Sequence, residues 1–453
     1  MPGVPLLIDA TVAVSVLTAL VLAPGVVGPA PGEAAPQSAP QSPARPRPAG
    51  RWTVHRPDRW AGRWTGHRPA RTVGPGAALA VVIALLYLNQ LAVTVYVLRE
   101  HGGDPSFIAR HLPAGWFSLA DGNAPVRWLA AHWPAPRLLA PSVLRVPALL
   151  ELPFVLLAFA TVLRTLDTGL YRRVARSPLI RLAAASYTVA FCAVEWQLHN
   201  PYTVDDILLR VLSALVTPAL IAALAARDAG PPRPAGAAGL LLFGVSLWAL
   251  GRLVLALYDT ALLYDMSRIG AELPAAALAL AVLAAAHRAR AALPADGPEP
   301  GPAVRALATG LRRGLVLFLV PALAVRYGVD FATPEIAVAG GAVVLLAAAA
   351  PALRAGTAGR RPPIGRLALA AGAGLAAAYP AASRVSDAYY EAGLLRAAGA
   401  FLLTAVAVAA LADRAAGPAR ERGRTARTGA GPRRVGAPDA RSSPDRKEAD
   451  SLP

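Results

Sequence analysis

The chain has 453 residues, 55% of them hydrophobic and only 16% charged, whereas soluble domains carry roughly 25% charged residues. Lipid rather than water is therefore the main solvent. The formal charge of +18 does not point to nucleic acid, because residues 1–75 carry 8 Arg against 3 acids and residues 414–453 carry 10 Lys+Arg against 5. Most of the remaining excess lies in short loops between apolar runs, the pattern of positive-inside topology.

Residues 1–75 read as an N-terminal leader. Its apolar segment 5–24 is interrupted only by Asp9 and has no basic region before it, so a signal peptide is a poor fit. Pro/Arg-rich sequence follows, containing the tandem repeat Arg51-Trp-Thr-Val-His-Arg-Pro57 and Arg63-Trp-Thr-Gly-His-Arg-Pro69. Two copies are too few for a solenoid. They suit either a disordered leader or a basic, tryptophan-bearing patch on the anionic inner leaflet. Whether 5–24 crosses the membrane is left open.

Residues 76–412 form the expected transmembrane domain. Runs long enough to span a bilayer recur at 76–98, 145–164, 179–198, 205–226, 237–258, 270–287, 314–332, 334–352, 366–383 and 394–412. The fold expected is an all-α polytopic bundle of about ten helices. Arg-rich connections (45–71, 164–181, 227–233, 288–313, 353–366 and the tail from Arg414) alternate with acidic, aromatic turns at 199–204, 259–269, 328–333 and 384–393. This alternation places the basic loops and both tails of the core in the cytoplasm and the protein in the cell membrane. Within the outer connection 99–141, Val126, Leu129, Ala130 and Trp133 have helical apolar spacing, which suggests an amphipathic helix in the outer interface. Residues 413–453 are charged, rich in Pro and Gly and aperiodic, as expected of a disordered basic tail.

The chemistry expected in this frame comes from charges in the apolar runs. Asp205, Asp206, Glu272, Glu335 and Glu391 start inward-running helices, where a carboxylate caps the helix and meets its dipole. Asp206 and Arg210 are four apart and can pair along one face. Glu151, Glu195, Arg210, Arg252, Arg326 and Arg396 lie deeper, all in the outer halves of their helices. Such groups cost at least about 2.5–3.5 kcal/mol at a helix centre and normally face the bundle interior in pairs. The inner halves are nearly pure Ala, Leu and Val.

Two readings of this layer stand: structural ion pairs, or an outward-facing polar site. In the second, Glu195, His199 and Asp206 are the acid/base candidates, with Glu195 one turn from His199 and able to orient its imidazole. Arg210, Arg252, Arg326 and Arg396, with Glu151 and Glu272, would bind an anionic substrate. Asp104 suits a Gly-Asp-Pro turn. Cys192, the only cysteine, excludes an intrachain disulfide and reads as an inert buried thiol. The sequence has no closed zinc spacing, P-loop, Rossmann glycine pattern or nucleophile elbow, so no metal or cofactor is expected. The layout, with an amphipathic loop after the first core helix, is similar to that of polyprenyl-phosphate-dependent glycosyltransferases, although the loop lacks a paired acidic motif. The expected function is an enzyme on a lipid-borne phosphate or isoprenoid substrate. The alternatives are a small-molecule or lipid transporter, or a non-catalytic scaffold whose tails dock lipid.

Overall fold

A computed structural model of the protein describes residues 3–28, 74–104, 106, 124–198, 202–228, 236–257, 260, 269–294, 300–354, 364–383 and 390–428. Among these residues there is no strand, and the regular elements are fourteen helices. In chain order they are α1 (Gly3–Val27), α2 (Pro75–Glu100), α3 (Ala124–His132), α4 (Ala140–Leu166) and α5 (Thr168–Arg176). Then come α6 (Pro178–Leu198), α7 (Thr203–Arg227), α8 (Ala237–Leu257), α9 (Ile269–Ala292) and α10 (Pro302–Phe318). The last four are α11 (Pro321–Phe331), α12 (Pro334–Arg354), α13 (Ile364–Ala382) and α14 (Tyr390–Thr428). Nine of the described helices are long and apolar enough to cross a membrane, and the pair α10–α11 makes a tenth candidate as one bent span. The protein is an all-α, multi-pass membrane protein.

Local chemistry starts these helices as the sequence suggests. Proline occupies the first position of α2, α10 and α11, where its missing N–H costs nothing. Asp205, Asp206, Glu272 and Glu335 lie in the first turns of α7, α9 and α12, on the favourable end of the helix dipole.

One expected span is not a single helix. The run 314–332 contains a break at Leu319–Val320, and the two halves meet at 64°. Pro321 opens the second half and has no N–H to continue the ladder of the first. The first half also begins earlier than the apolar run, at Pro302, so its initial turns carry Arg305, Arg312 and Arg313.

The packing around α1 shows what the apolar segment 5–24 does. Its stripe Val4, Ile8, Val12, Val16, Ala19 and Ala23 is buried, against α6, α10, α11 and α12. Leu6, Val14, Leu17 and Val21 on the other side are exposed. Near the start of α1, Asp9 accepts hydrogen bonds from Thr333 N–H and Oγ1 in the turn before α12. At its end, Arg173 of α5 donates to the carbonyls of Val26 and Val27. Hence α1 runs the full height of the bundle, from the end that carries the acidic turns to the Arg-rich end.

On the opposite side, α8, α13 and α14 pack closely. A Cβ at Gly399 would lie 2.8 Å from the backbone nitrogen of Trp248, so only glycine allows α14 this near to α8. Between membrane helices such close backbone approach supplies much of the attraction. Gly399→Val is expected to lower stability by about 1–3 kcal/mol through overpacking. Gly372→Ala, whose Cβ would meet nothing within 4 Å, serves as the neutral comparison in the same melting experiment.

Candidate functional site

The centre of the charged layer is Arg210 on α7. Its Nη1 donates to Glu151 Oε2 on α4 at 3.0 Å, and its Nη2 donates to Glu195 Oε1 on α6 at 3.0 Å. The guanidinium carbon also lies 3.4 Å from the centroid of the Phe191 ring, a cation–π geometry. With a rise of about 1.5 Å per residue, Arg210 sits roughly 10 Å below the start of α7. Glu195 is only 9% exposed, Arg210 5% and Asp206 2%.

Helical periodicity builds this arrangement. Tyr187, Phe191 and Glu195 fall four residues apart on α6 and so share one face. On α7 the buried polar residues are Thr203, Asp206, Arg210, Ser213 and Thr217, a 3–4–3–4 spacing, whereas Val204, Leu208, Val211, Leu212 and Leu215 are exposed. The helix is therefore amphipathic with its polar side inward. This stripe is visible in the sequence once polar rather than apolar spacing is examined. Ser213 adds to it by donating to the Leu149 carbonyl of α4 at 2.8 Å. Asp206 and Arg210 do share the buried face, but Asp206 Oδ1 and Arg210 Nε are both left without a hydrogen-bond partner. Asp205 turns outward and meets Arg145 at 2.5 Å.

An aromatic cluster joins this centre to the broken helix. Tyr327 of α11 packs edge-on against Phe191 with centroids 5.6 Å apart, and against Tyr187 at 6.4 Å. Arg326 lies beside it, 5.4 Å from the Tyr327 ring centroid. The remaining candidates are elsewhere. Arg252 of α8 pairs with Glu272 of α9 at 2.6 Å, and Arg396 of α14 stacks over Trp248 of α8 at 5.0 Å. Arg210, Arg252 and Arg396 thus each meet a partner on another helix and do not converge on one centre, and His199 lies outside the described residues. Among the described residues no group of three His, Cys, Asp or Glu could hold a metal ion.

Charges also tie the helices together at the Arg-rich end, which sequence reading treated as loop. Arg164 donates to Asp228 at 2.6 Å and contacts His287, and Arg172 lies 3.9 Å from Asp228. Asp167 caps α5 through the Leu170 N–H and pairs with Arg312 of α10. Asp413 of α14 accepts from the Ala303 and Val304 N–H groups that open α10, and from Arg366 at 2.9 Å. Tyr171, between Arg164, Asp228 and Arg172, has its hydroxyl pushed up to about 12, chiefly by burial. These pairings were hidden because the same arginines satisfy the positive-inside pattern by themselves.

At the other end, Asp104 forms a local turn. It accepts from Ser106 N–H at 2.9 Å and Ser106 Oγ at 2.8 Å, and these bonds hold its carboxyl below the usual carboxylate range. A short helix, α3, forms where the apolar spacing suggests one, and its stripe is met in part: Val126 and Ala130 are buried, whereas Trp133 is exposed. Arg99 of α2 donates to the carbonyl of Trp133 just after α3. No family model matches the chain, and no curated protein or solved structure matches it either.

Proposed function

We propose that this protein is a secondary transporter whose site is the Arg210 cluster, with the Arg-rich end of the bundle in the cytoplasm of a cell-membrane topology. One observation carries the reading: a span broken by 64° packs its short half, through Tyr327, onto the ring that supports a buried, doubly paired arginine. Transporters bind at discontinuous helices, whose unwound backbone and charged partners exchange contacts as one part of the bundle rocks. Intramembrane charges that face the interior mark the path.

Anion binding by a lipid-phosphate enzyme is less well served. Both terminal nitrogens of Arg210 already meet carboxylates, and Arg252 meets Glu272. A scaffold docking lipid through its tails has no use for a buried charged centre. The basic tails still suit anionic inner-leaflet lipids.

The test is accessibility. In a Cys192→Ala background, Ser213→Cys places one thiol beside the cluster, and a membrane-impermeant maleimide is applied to right-side-out and inside-out vesicles. Labelling from both sides is expected. Labelling from the outer side alone would favour a one-sided enzyme, and none from either side would favour the scaffold.

A further inference from the structure

Charge around Arg210 does not balance. Glu151, Glu195 and Asp206 contribute three carboxylates from α4, α6 and α7, and one guanidinium lies among them. Two of the acids each take one arm of that guanidinium. The third, Asp206, is 2% exposed, lies within electrostatic reach of Glu195 and Arg210, and has an oxygen with no partner.

Among the described residues the neighbours of α7 supply no second counter-charge free of its own acid, since Arg145, which also acts on Asp206, is taken by Asp205. On α7 itself Asp205 is committed to Arg145 of α4 at 2.5 Å, so this pair cancels. Beyond Glu195, the titratable groups that α6 brings near the cluster among the described residues are Tyr187 and Cys192, neither of them a cation. Arg172 of α5 and Arg164 of α4 belong to Asp228 at the Arg-rich end. Charges on α2 come at its last turn, where Arg99 donates to the Trp133 carbonyl and Glu100 follows. Behind α6, α11 carries Arg326 and Asp330, one base and one acid. Behind α4, α8 carries Arg252, paired with Glu272. An ionised carboxylate removed from water without a partner is strongly disfavoured, because no nearby cation or donor replaces its hydration. A metal is a poor remedy, because no three of the described acids are grouped to hold one.

We infer that the Glu195–Asp206 side of this cluster binds and releases a proton, so that the proton is the coupling ion of the transport function proposed above, on which this inference rests. Uptake converts a carboxylate and a hydronium ion into a carboxylic acid and water, and release reverses it; no redox partner is needed. A proton on Glu195 weakens its hold on Arg210 Nη2, and the unused Nε–H of Arg210 lies on the same helix face as the unpartnered oxygen of Asp206. The guanidinium then exchanges one carboxylate for another, and Phe191 and Tyr327 connect that exchange to the broken helix.

Infrared difference spectra of the purified full chain, recorded between about pH 9 and about pH 6, above the range near pH 4 in which exposed carboxylates take up protons, read the stretch of a buried carboxylic acid directly and need no substrate. A band that appears on acidification and shifts in heavy water is expected in the wild type, with loss of most of its amplitude in Asp206→Asn or Glu195→Gln. A wild type with no such band overturns the inference whether or not the variants fold. An undiminished band in folded variants overturns it too. Displacement of the band by sodium chloride but not choline chloride assigns the cluster to sodium and also overturns it. The two readings fail separately: an absent band with Ser213→Cys labelled from both sides leaves transport standing without proton coupling. A present band with outer-side labelling alone removes the coupling role along with transport.

Discussion

Replacing Arg210 with alanine is expected to destabilise the purified protein by about 3–5 kcal/mol, the range for breaking a buried ion pair by removing one partner. The loss comes from what is left behind. Glu195 would remain buried on α6 and Glu151 partly buried on α4 with neither of the 3.0 Å pairings that now neutralise them, and Phe191 would lose the cation 3.4 Å from its centroid. Replacing all three charged groups together, Glu151→Gln, Arg210→Met and Glu195→Gln, is expected to recover most of that loss, since a buried ion pair and an apolar substitute of similar volume are often near equal in stability. Arg210→Lys should fall between, because a single ammonium cannot reproduce the planar two-armed contact. Melting curves in one detergent, followed by size-exclusion chromatography, rank the variants. If Arg210→Ala melts with the wild type, the cluster is hydrated rather than buried, and both its role as an ion-pair centre and the charge-balance argument fall. Stability and transport should then part company in the triple variant, which refolds the centre without restoring any group able to exchange partners.

The fold was largely legible because lipid imposes simple rules. Spans of apolar residues and alternating Arg-rich loops mark where helices begin and end, and the ten expected runs each contain helix in the structure. The break at Leu319–Val320 was not legible. Pro147, Pro153, Pro218 and Pro274 sit inside helices α4, α7 and α9 that continue past them, so a proline in an apolar run does not by itself mark a break as Pro321 does. Within the candidate site, depth was legible and partnership was not. Periodicity tells which face of α7 carries Arg210, but not that Glu151, 59 residues away, stands opposite. The nearest acid in sequence, Asp206, was the obvious partner, and Arg210 Nη1 and Nη2 instead reach across to other helices. Glu195 was paired in expectation with His199 by the same local logic.

Deleting residues 1–27 is expected to abolish recovery of monodisperse protein, whereas shortening the 30–72 connection to a flexible linker should leave melting unchanged. In a bilayer the hydrophobic effect does not drive helices together, so association rests on close packing and buried hydrogen bonds, and α1 supplies both. Its apolar stripe fills the space beside α11 and α12, where a Cβ on Gly328 would lie 3.1 Å from Val12 and one on Gly340 3.2 Å from Val16. Lipid chains cannot follow that surface, and a gap there forfeits the dispersion attraction of the atoms that line it. The polar cost is added to this. Without Asp9, the Thr333 N–H and hydroxyl lose acceptors at 3.2 and 2.6 Å, and without Ser15, Ser186 loses a partner at 2.9 Å. A fully buried polar group left unsatisfied costs about 1–3 kcal/mol, and these part-buried groups each lose less than that. Asp9→Ala isolates the Thr333 part and should lower the melting point without dispersing the protein. Elution and melting of the 1–27 deletion like the full chain would show α1 to be an attached segment rather than a member of the bundle. The bent pair would be affected as well, because α1 packs against both of its halves, and removing that support should loosen Tyr327 from Phe191 before the Arg210 pairs themselves are disturbed.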